Sequence, residues 1–320
     1  QYVSYPLHSS GGLSLLIERR WLPALLTTLV FAACAAPTAA PSQPSSAPPA
    51  AVSPVVSAAP VASAVPSSAS PVTSPVSQAS GEVTVFAAAS LTDVFNDMAQ
   101  AFQAANPQAK VTYNFGSSSA LATQLDQGAR ADVFASADQV QMDNARKGNH
   151  ISGSDAVFAT NRLVIITPKN NPAGVRSVAD LAKPGLTLIT AQPSVPIGVY
   201  TQDMLDKASL DPQLGTTFKD RVNANVVSQQ TDDRQIVAQI QLGSADAAVV
   251  YKTDITPLTA DALNAVDVPD NLNTRVSYPI ATVTGGENPN GGAAFNAFVL
   301  SPAGQAVLAK WSFVPVRQTT

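Results

Sequence analysis

The sequence predicts an α/β fold in which two lobes face each other across a cleft. Three observations support this prediction. Charged residues are concentrated after residue 81, which marks a folded body of about 240 residues. In each half of this body, apolar strand-like segments alternate with helical segments, as in parallel sheets with helical crossovers. Two further extended segments, 162–168 and 276–284, are positioned to join the two halves.

The charge distribution sets the domain boundaries. Of the 18 basic and 22 acidic residues among 320, only Glu18, Arg19 and Arg20 precede residue 82. A compact domain carries about 25% charged residues, so this uncharged stretch is not an ordinary folded surface. The body carries 16 basic and 21 acidic residues, a net charge of −5. This balance argues against nucleic-acid binding, which favours a basic surface.

Residues 1–33 are predicted to be an export signal. Two arginines precede an apolar run of about 13 residues, which suits the hydrophobic region of a signal peptide and is shorter than the ~20 residues of a membrane span. The run ends in small residues directly before Cys34, the single cysteine of the chain. This arrangement resembles the lipobox of bacterial lipoproteins, so we expect cleavage before Cys34 and its lipidation. A buried free cysteine without a role is the alternative.

Residues 34–80 are predicted to be the lipidated cysteine followed by a disordered linker. Ten prolines stand mainly among Ala, Ser, Val and Thr, with no charged and no aromatic residue. Such a segment cannot bury enough apolar surface to offset its ordering entropy, and its prolines favour extended polyproline II conformations. We expect it to hold the body away from a membrane.

The first lobe is predicted over 81–164 and 281–320. Its first strand is VTVFAA, and apolar residues at i, i+3, i+4 and i+7 after it predict a helix with Ser90 as N-cap and Asp93 completing a capping box. The elements predicted to follow are strand 111–115, helix 119–127, strand 132–137, helix 138–147 and helical segments around Pro302.

The second lobe is predicted over 165–280 and repeats the alternation. Ser177 is expected to cap a short helix, and Asp232 to cap helix 233–242, which ends before Gly243. The other predicted elements are strand 186–191, helix 198–208, strand 222–228 and strand 247–251. With 162–168 and 276–284 as a two-strand hinge, a ligand cleft is expected between the lobes.

Enzyme signatures are absent from the sequence. It contains no GxGxxG, GxxxxGK[ST], HExxH, GxSxG or CxxC motif. Ser90 or Ser118 would need an adjacent base to act as a nucleophile, and His150, the one histidine of the body, lies in a polar turn. One cysteine and two histidines leave little material for a protein-built metal site. We therefore expect no catalysis and no cofactor, with a serine hydrolase as an alternative.

Small hydroxyl residues or glycines recur where predicted strands end and helices begin. Ser90, the run 116–119, the segment 196–198 and the segment 231–233 all lie at such junctions. Ligands of open α/β sheets bind outside the carboxyl ends of the strands, and helix N-termini there present N–H groups with a partial positive charge. Such positions predict a site in which N–H and O–H donors hold a fully deprotonated oxyanion. Each serine taken alone is better explained as a helix cap.

Five short motifs occur in order along the body. They are the VFAAASL of 85–91, the FGSSS of 115–119, the ADVFASAD of 131–138, the PIGVY of 196–200 and the AVVY of 248–251 followed by Asp254. In these motifs residues 83–320 resemble the substrate-binding proteins of bacterial molybdate ABC transporters. The resemblance implies a type II periplasmic-binding-protein fold and capture of molybdate or tungstate between the lobes.

The resemblance also implies ligand contacts. Ser90 and Ser118 match two serines that donate hydrogen bonds from the first lobe. Tyr251 matches a tyrosine that donates from the second lobe, although a core tyrosine at a strand end is the alternative. Ile197 stands where the family donates a backbone N–H. Asp233 stands at a fifth contact position that is usually apolar, and a carboxylate near a dianion repels it by at least ~1 kcal/mol even in water.

These five residues are the expected contacts of molybdate as an oxyanion, with no bare cation site. Ser136 and Asp138 are expected to form a helix cap and a hinge-side contact rather than to bind the ligand.

We therefore expect a monomeric extracytoplasmic lipoprotein, in the periplasm or at the outer face of the cell membrane, held there only by the lipid on Cys34. Its expected partners are the permease and ATPase of an ABC transporter, and no nucleic acid. A binding protein for another oxyanion such as sulfate, and a purely adhesive surface lipoprotein, are further alternatives.

Overall fold

The structure is a computed structural model that describes residues 78–316. The predicted export signal, Cys34 and residues 35–77 of the predicted linker lie outside the described residues, as do residues 317–320. Residues 78–316 form two α/β lobes, called lobe 1 and lobe 2, each built on one sheet.

Strands and helices alternate along most of this region. The strands are β1 (Ser80–Ala88), β2 (Gln108–Gly116), β3 (Val133–Ala135), β4 (Ile151–Asn161), β5 (Leu163–Pro168), β6 (Leu188–Ala191), β7 (Val226–Gln230), β8 (Ala247–Tyr251), β9 (Leu263–Asp267), β10 (Val276–Val283) and β11 (Val314–Pro315). The α-helices are α1 (Thr92–Ala105), α2 (Ser118–Asp126), α3 (Gln139–Lys147), α4 (Pro196–Leu210), α5 (Phe218–Ala224), α6 (Asp233–Gln241), α7 (Pro289–Leu300) and α8 (Pro302–Lys310). Short 3-10 helices cover Ala89–Leu91, Val178–Ala182 and Lys252–Asp254.

Lobe 1 has a six-stranded sheet with the strand order β11-β4-β10-β3-β1-β2. β1 runs parallel to β2 and to β3, as the alternation of strands and helices predicts. β10 returns from lobe 2 and pairs antiparallel with β3 and β4.

Lobe 2 has a five-stranded sheet with the strand order β7-β6-β8-β5-β9. β6 runs parallel to β7 and β8, whereas β5 is antiparallel to β8 and β9. Every residue of β8 is buried. This explains why its sequence is a continuous apolar run and not an alternation of apolar and polar residues.

The chain crosses between the lobes at Arg162 and at residues 268–275. The sequence predicts the crossings at 162–168 and 276–284, but β5 and β10 are strands inside the two sheets. Both are largely buried, as central strands are. Residues 163–164 therefore lie with lobe 2, and residues 276–280 with lobe 1, which shifts the predicted boundaries by a few residues.

The core of lobe 1 fixes the position of α1. Phe95 and Phe102 of this helix are buried, and their rings meet Phe295 of α7 edge-on at centroid distances of 5.9 and 5.3 Å. Such aromatic pairs add about 0.5–1.5 kcal/mol beyond their burial.

Within the described residues no single helix is long and apolar enough to cross a membrane. Only α7 and α8 taken together have the length and composition of a membrane span, and these two helices are bent by 64° relative to each other.

The start of α1 differs from the prediction. Ser90 lies inside a 3-10 turn that precedes the helix, and neither helix start has a side-chain cap. The hydroxyl of Ser90 contacts Tyr278, and Asp93 pairs with Arg234, so the predicted capping box is wrong because distant partners engage both side chains. β4, β9 and α5 are not predicted from the sequence, and residues 222–224 of the predicted strand 222–228 instead end a helix.

Candidate functional site

Strand ends and helix starts from both lobes meet at one small cavity. The cavity is small, with a volume of about 10 Å³. The lobes are therefore closed around it. The lining residues are Ala88, Ala89, Ser117, Ser118 and Ala137 from lobe 1 and Val195, Pro196, Ile197, Asp232, Asp233 and Tyr251 from lobe 2.

The structure brings together most of the residues predicted to contact an oxyanion. Four of the five line the cavity, namely Ser118, Ile197, Asp233 and Tyr251. The fifth, Ser90, directly follows a lining residue and is 6% exposed. A larger open groove of about 590 Å³ lies beside the crossing at Arg162, and none of the five lines it.

α2 begins at the cavity with two serines. Ser117 is the N-cap, and its Oγ accepts a hydrogen bond from the N–H of Ala120 at 3.3 Å. Ser118 is 1% exposed, and its Oγ accepts from the backbone N–H of Ala137 at 2.9 Å. Because a hydroxyl that accepts a bond keeps its own proton, Ser118 retains an O–H to donate.

The hydroxyl of Ser90 belongs to a hydrogen-bonded chain that links both lobes. Ser90 Oγ lies 3.1 Å from Tyr278 Oη. The amide of Asn161 donates to Tyr278 Oη at 3.3 Å and to Thr253 Oγ1 of lobe 2 at 2.7 Å. Since the phenol oxygen accepts from Asn161, its proton is free to be donated to Ser90, which then retains its own O–H for another acceptor.

Tyr251 ends β8 and is 1% exposed. Its Oη is buried and has no hydrogen-bond partner in the described part of the chain. Burial raises the pKa of the Tyr251 phenol well above its ordinary value, and the neighbouring Tyr278 and Asp233 raise it further. The hydroxyl is therefore a donor. A buried donor without an acceptor costs about 1–3 kcal/mol, so this position suits a ligand that accepts hydrogen bonds.

α4 begins on the lobe 2 side of the cavity. Ile197 is its second residue and is 2% exposed, so its backbone is the polar group that it can offer. The N–H groups of the first helical turn have no acceptor within the helix. Gly198 packs closely against the preceding loop, where a Cβ would lie 2.0 Å from the carbonyl oxygen of Gln192. Glycine is therefore required for this approach of the helix start.

α6 begins with two aspartates that have different roles. Asp232 is the N-cap, as predicted, and its Oδ1 accepts from the N–H of Gln235 at 2.9 Å. Asp233, 5% exposed, is a close neighbour of Asp254, 1% exposed. Asp233 Oδ2 and Asp254 Oδ1 are buried and have no hydrogen-bond partner in the described residues. Two ionised carboxylates repel each other, so this arrangement favours a proton on one of them.

The surroundings of both carboxyls favour their protonated form. Burial raises the pKa of Asp233 to about 6, although its own N–H and Asp254 act in the opposite direction. Burial, and then the charge of Asp233, raise the pKa of Asp254 well above its ordinary value. Both shifts have the same direction, so the buried pair favours carrying a proton near neutral pH. The other oxygen of Asp254 accepts from the N–H of Tyr251 at 2.9 Å.

The stretch 131–138 ends in a helix cap, as predicted. Asp138 caps α3 through a bond from the N–H of Gln141 at 2.8 Å, and Ser136 Oγ donates to the carbonyl of Asp138 at 2.7 Å. Neither Ser136 nor Asp138 lines the cavity. Asp138 Oδ2 is buried without a partner in the described chain, and burial raises the pKa of this carboxyl.

The cavity wall carries no Lys or Arg, and its formal charges are those of Asp232 and Asp233. An anion in this cavity would be held by N–H and O–H groups and by helix N-termini, without a counter-charge. Among residues 78–316 no group of three or more His, Cys, Asp and Glu side chains is placed to hold a metal ion.

Tyr278, Asn161 and the role of Asp254 are not predicted from the sequence. Tyr278 lies in an apolar strand, where a tyrosine is itself a signal because its buried hydroxyl needs a partner. Asp254 follows Tyr251 in one of the five motifs, but only the fold places it against Asp233.

Residues 83–314 match the family model described as bacterial extracellular solute-binding protein. The chain belongs to this family. Among curated relatives of this solute-binding protein, the molybdate-binding protein ModA of Mycobacterium tuberculosis (strain ATCC 25618 / H37Rv) is 37% identical over 231 residues, 72% of this chain and 84% of that protein. A putative ABC transporter substrate-binding lipoprotein of Bacillus subtilis (strain 168), YvgL, is 29% identical over 233 residues, 72% of this chain and 85% of that protein.

Solved structures show the same fold. The periplasmic molybdate-binding protein of Azotobacter vinelandii matches with a TM-score of 0.63 at 20% identity, covering 73% of this chain and 100% of that chain. The sulfate-binding protein SubI of Mycobacterium tuberculosis H37Rv matches with a TM-score of 0.68 at 19% identity, covering 74% and 88%. These likenesses confirm the predicted two-lobed periplasmic-binding-protein fold of this solute-binding protein.

Proposed function

We propose that the protein binds molybdate or tungstate outside the cytoplasm and delivers it to the permease and ATPase of an ABC transporter. The solute-binding family of the chain and a relative of 37% identity that is named for molybdate binding support this proposal. The proposed contacts are the hydroxyls of Ser90, Ser118 and Tyr251 and the backbone N–H groups of Ile197 and Asp233.

The observation that carries the proposal is the set of hydroxyl protons that remain available around the cavity. Ser118 accepts from Ala137, Ser90 is placed to accept from Tyr278, and Tyr251 has no partner among the described residues. Each of the three hydroxyls therefore has a proton to donate. A fully deprotonated tetrahedral oxyanion accepts hydrogen bonds and donates none, so it matches this set of donors.

We further propose that the protein has no catalytic activity and no cofactor. A serine nucleophile needs an adjacent base. The hydroxyls of Ser90 and Ser118 contact a phenol and a backbone N–H, whereas His150 contacts Asp126 at 2.8 Å. This arrangement favours binding over a serine hydrolase.

We also propose that the protein is a monomer and that a lipid on Cys34 is its only attachment to the membrane. The lipobox-like sequence supports this proposal, as does a relative that is described as a putative lipoprotein. Mass spectrometry of the mature protein should find an acylated Cys34 as its first residue. A mature chain that retains the residues before Cys34 would contradict the proposal.

Calorimetric titration with molybdate, tungstate, sulfate and phosphate tests the binding function. We expect one tight site per chain for molybdate and tungstate. Sulfate binding without a response to molybdate would instead support a binding protein for another oxyanion. An adhesive lipoprotein should respond to none of the four and show no rise in Tm, whereas a ligand at a hundredfold excess over its Kd adds ~2.7 kcal/mol to the free energy of unfolding.

A further inference from the structure

An ion pair joins the two lobes beside the cavity. Arg234 of α6 in lobe 2 donates two hydrogen bonds to the carboxylate of Asp93 of α1 in lobe 1, with Nη1 to Oδ2 at 2.7 Å and Nη2 to Oδ1 at 3.2 Å. The side chains are 32% and 16% exposed. Paired bonds of this kind between a guanidinium and a carboxylate are among the strongest hydrogen bonds in proteins, and partial burial limits their screening by salt.

The pair is distinct among the ion pairs of the described residues. The other ion pairs between residues of the sheets and helices, such as Lys310 with Asp97, lie within one lobe. Arg234 and Asp93 instead join α6 of lobe 2 to α1 of lobe 1. Their positions also matter. Arg234 directly follows Asp233, and Asp93 lies three residues after Ser90. The ion pair therefore connects the helix starts that carry proposed anion contacts on both walls.

Neither side chain lines the cavity. The two halves of the pair belong to different lobes, so it joins the lobes in this closed form. We propose that Asp93 and Arg234 form a latch that holds the lobes closed and so slows release of the bound anion. The identity of the anion rests on the function proposed above, whereas the latch itself does not.

The latch and simple electrostatics predict opposite effects for one substitution. Asp93→Asn removes a negative charge near an anion site, which on Coulomb's law alone tightens anion binding. If the latch holds the lobes closed, the same substitution leaves the guanidinium half-buried and unpaired in the closed form, which favours the open form. Binding then becomes weaker, and the change appears mainly in the dissociation rate.

The test uses the full chain and molybdate as the probe. Asp93→Asn should weaken binding about tenfold through faster dissociation. The charge exchange Asp93→Arg with Arg234→Asp should recover part of the loss. The matched control is Asp97→Asn, which removes the same charge from the same helix but breaks a pair within lobe 1, to Lys310 and Trp311, and should change the affinity less than about twofold. Unchanged or tighter binding by Asp93→Asn would overturn the latch.

Hydrogen exchange of the free proteins separates the latch from the proposed function. Amides of segment 231–236, on the lobe opposite Asp93, should exchange faster in Asp93→Asn than in the wild type and in Asp97→Asn. If the wild type fails to bind molybdate and tungstate but this exchange pattern holds, the proposed function is wrong and the latch stands. If segment 231–236 exchanges equally in all three proteins, the latch is wrong whatever the ligand.

Discussion

The two walls of the cavity differ in how their polar groups are satisfied. On the lobe 1 wall, Ser117 and Ser118 accept hydrogen bonds from backbone N–H groups of their own lobe, and Ser90 beside them contacts Tyr278 of the same lobe. On the lobe 2 wall, the hydroxyl of Tyr251 has no partner in the described chain, and the carboxylate of Asp233 faces another acid.

This difference indicates separate contributions of the two lobes. Lobe 1 holds its hydroxyls in place through its own hydrogen bonds, so its donors are oriented before a ligand binds. In lobe 2, the hydroxyl of Tyr251 gains a partner only when a ligand binds, and the carboxyl of Asp233 becomes neutral only when it binds a proton. Affinity should therefore depend on both walls, whereas its response to pH should originate in lobe 2.

The largest effect is expected on the lobe 2 wall. Tyr251→Phe should lower the affinity for molybdate roughly 10- to 100-fold, because a hydrogen bond to a charged acceptor contributes about 1.5–3 kcal/mol. The Tm should stay unchanged or rise, since the deleted hydroxyl is buried without a partner in the described residues. Calorimetry and thermal unfolding measure the two quantities. A lower Tm with unchanged affinity would show that the hydroxyl serves the core and not the site.

The corresponding substitution on the lobe 1 wall should differ from Tyr251→Phe in its effect on the free energy of unfolding. Ser118→Ala should weaken molybdate binding about tenfold. It should also lower the free energy of unfolding by about 1–3 kcal/mol, because the N–H of Ala137 loses its acceptor. Urea unfolding measures this loss. If the variant is as stable as the wild type, the hydroxyls of lobe 1 are no better held by hydrogen bonds before ligand binding than those of lobe 2.

The third effect is a pH dependence that comes from Asp233. Its pKa is raised from 3.8 to about 6 in the folded protein, so its carboxyl is neutral below this range and repels an anion above it. Affinity for molybdate should therefore fall as the pH rises from about 5 to 7, by at most tenfold per pH unit for one linked proton. Titrations of the wild type across this range measure the change.

Asp233→Asn supplies the control for this pH dependence. It should bind with a nearly constant affinity, and more tightly than the wild type at pH 8. The free energy of unfolding should also fall as the pH rises. Because the folded state holds this proton more firmly than the unfolded state, the contribution of Asp233 to stability is present below about pH 4 and is lost as the pH rises through about 6. An equally steep pH profile in the variant would assign the titration to another group.

The smallest effect is expected where the backbone donates. Ile197→Val keeps the N–H of α4 and should change the affinity for molybdate less than about twofold, although loss of a buried methyl group costs about 0.5–1.5 kcal/mol of stability. Calorimetric titration measures the affinity of this variant, and thermal unfolding measures its stability. A tenfold loss of affinity would mean that the side chain itself shapes the site.

Local signals explain what the sequence predicts correctly. The starts of α3 and α6 follow from Asp138 and Asp232, because a cap bonds an N–H only three residues away. Parallel pairing of β1 with β2 and β3 follows from the alternation of strands and helices.

The remaining features depend on partners far along the chain. Ser90 has the sequence of a cap but bonds Tyr278, 188 residues away, and Asp93 pairs with a residue 141 positions away. The Asp233–Asp254 pair is likewise set by the packing of α6 against the turn after β8. No local periodicity reports such contacts.

In the proposed site, neutral donors from both walls hold a deprotonated oxyanion. Calorimetric titration with molybdate at pH 6, comparing the wild type with the double variant Ser118→Ala and Tyr251→Phe, is the direct test of this proposal. We predict one tight site per chain in the wild type and an affinity at least about a hundredfold lower in a folded double variant. No binding by the wild type, or equal binding by the two proteins, would contradict the claim.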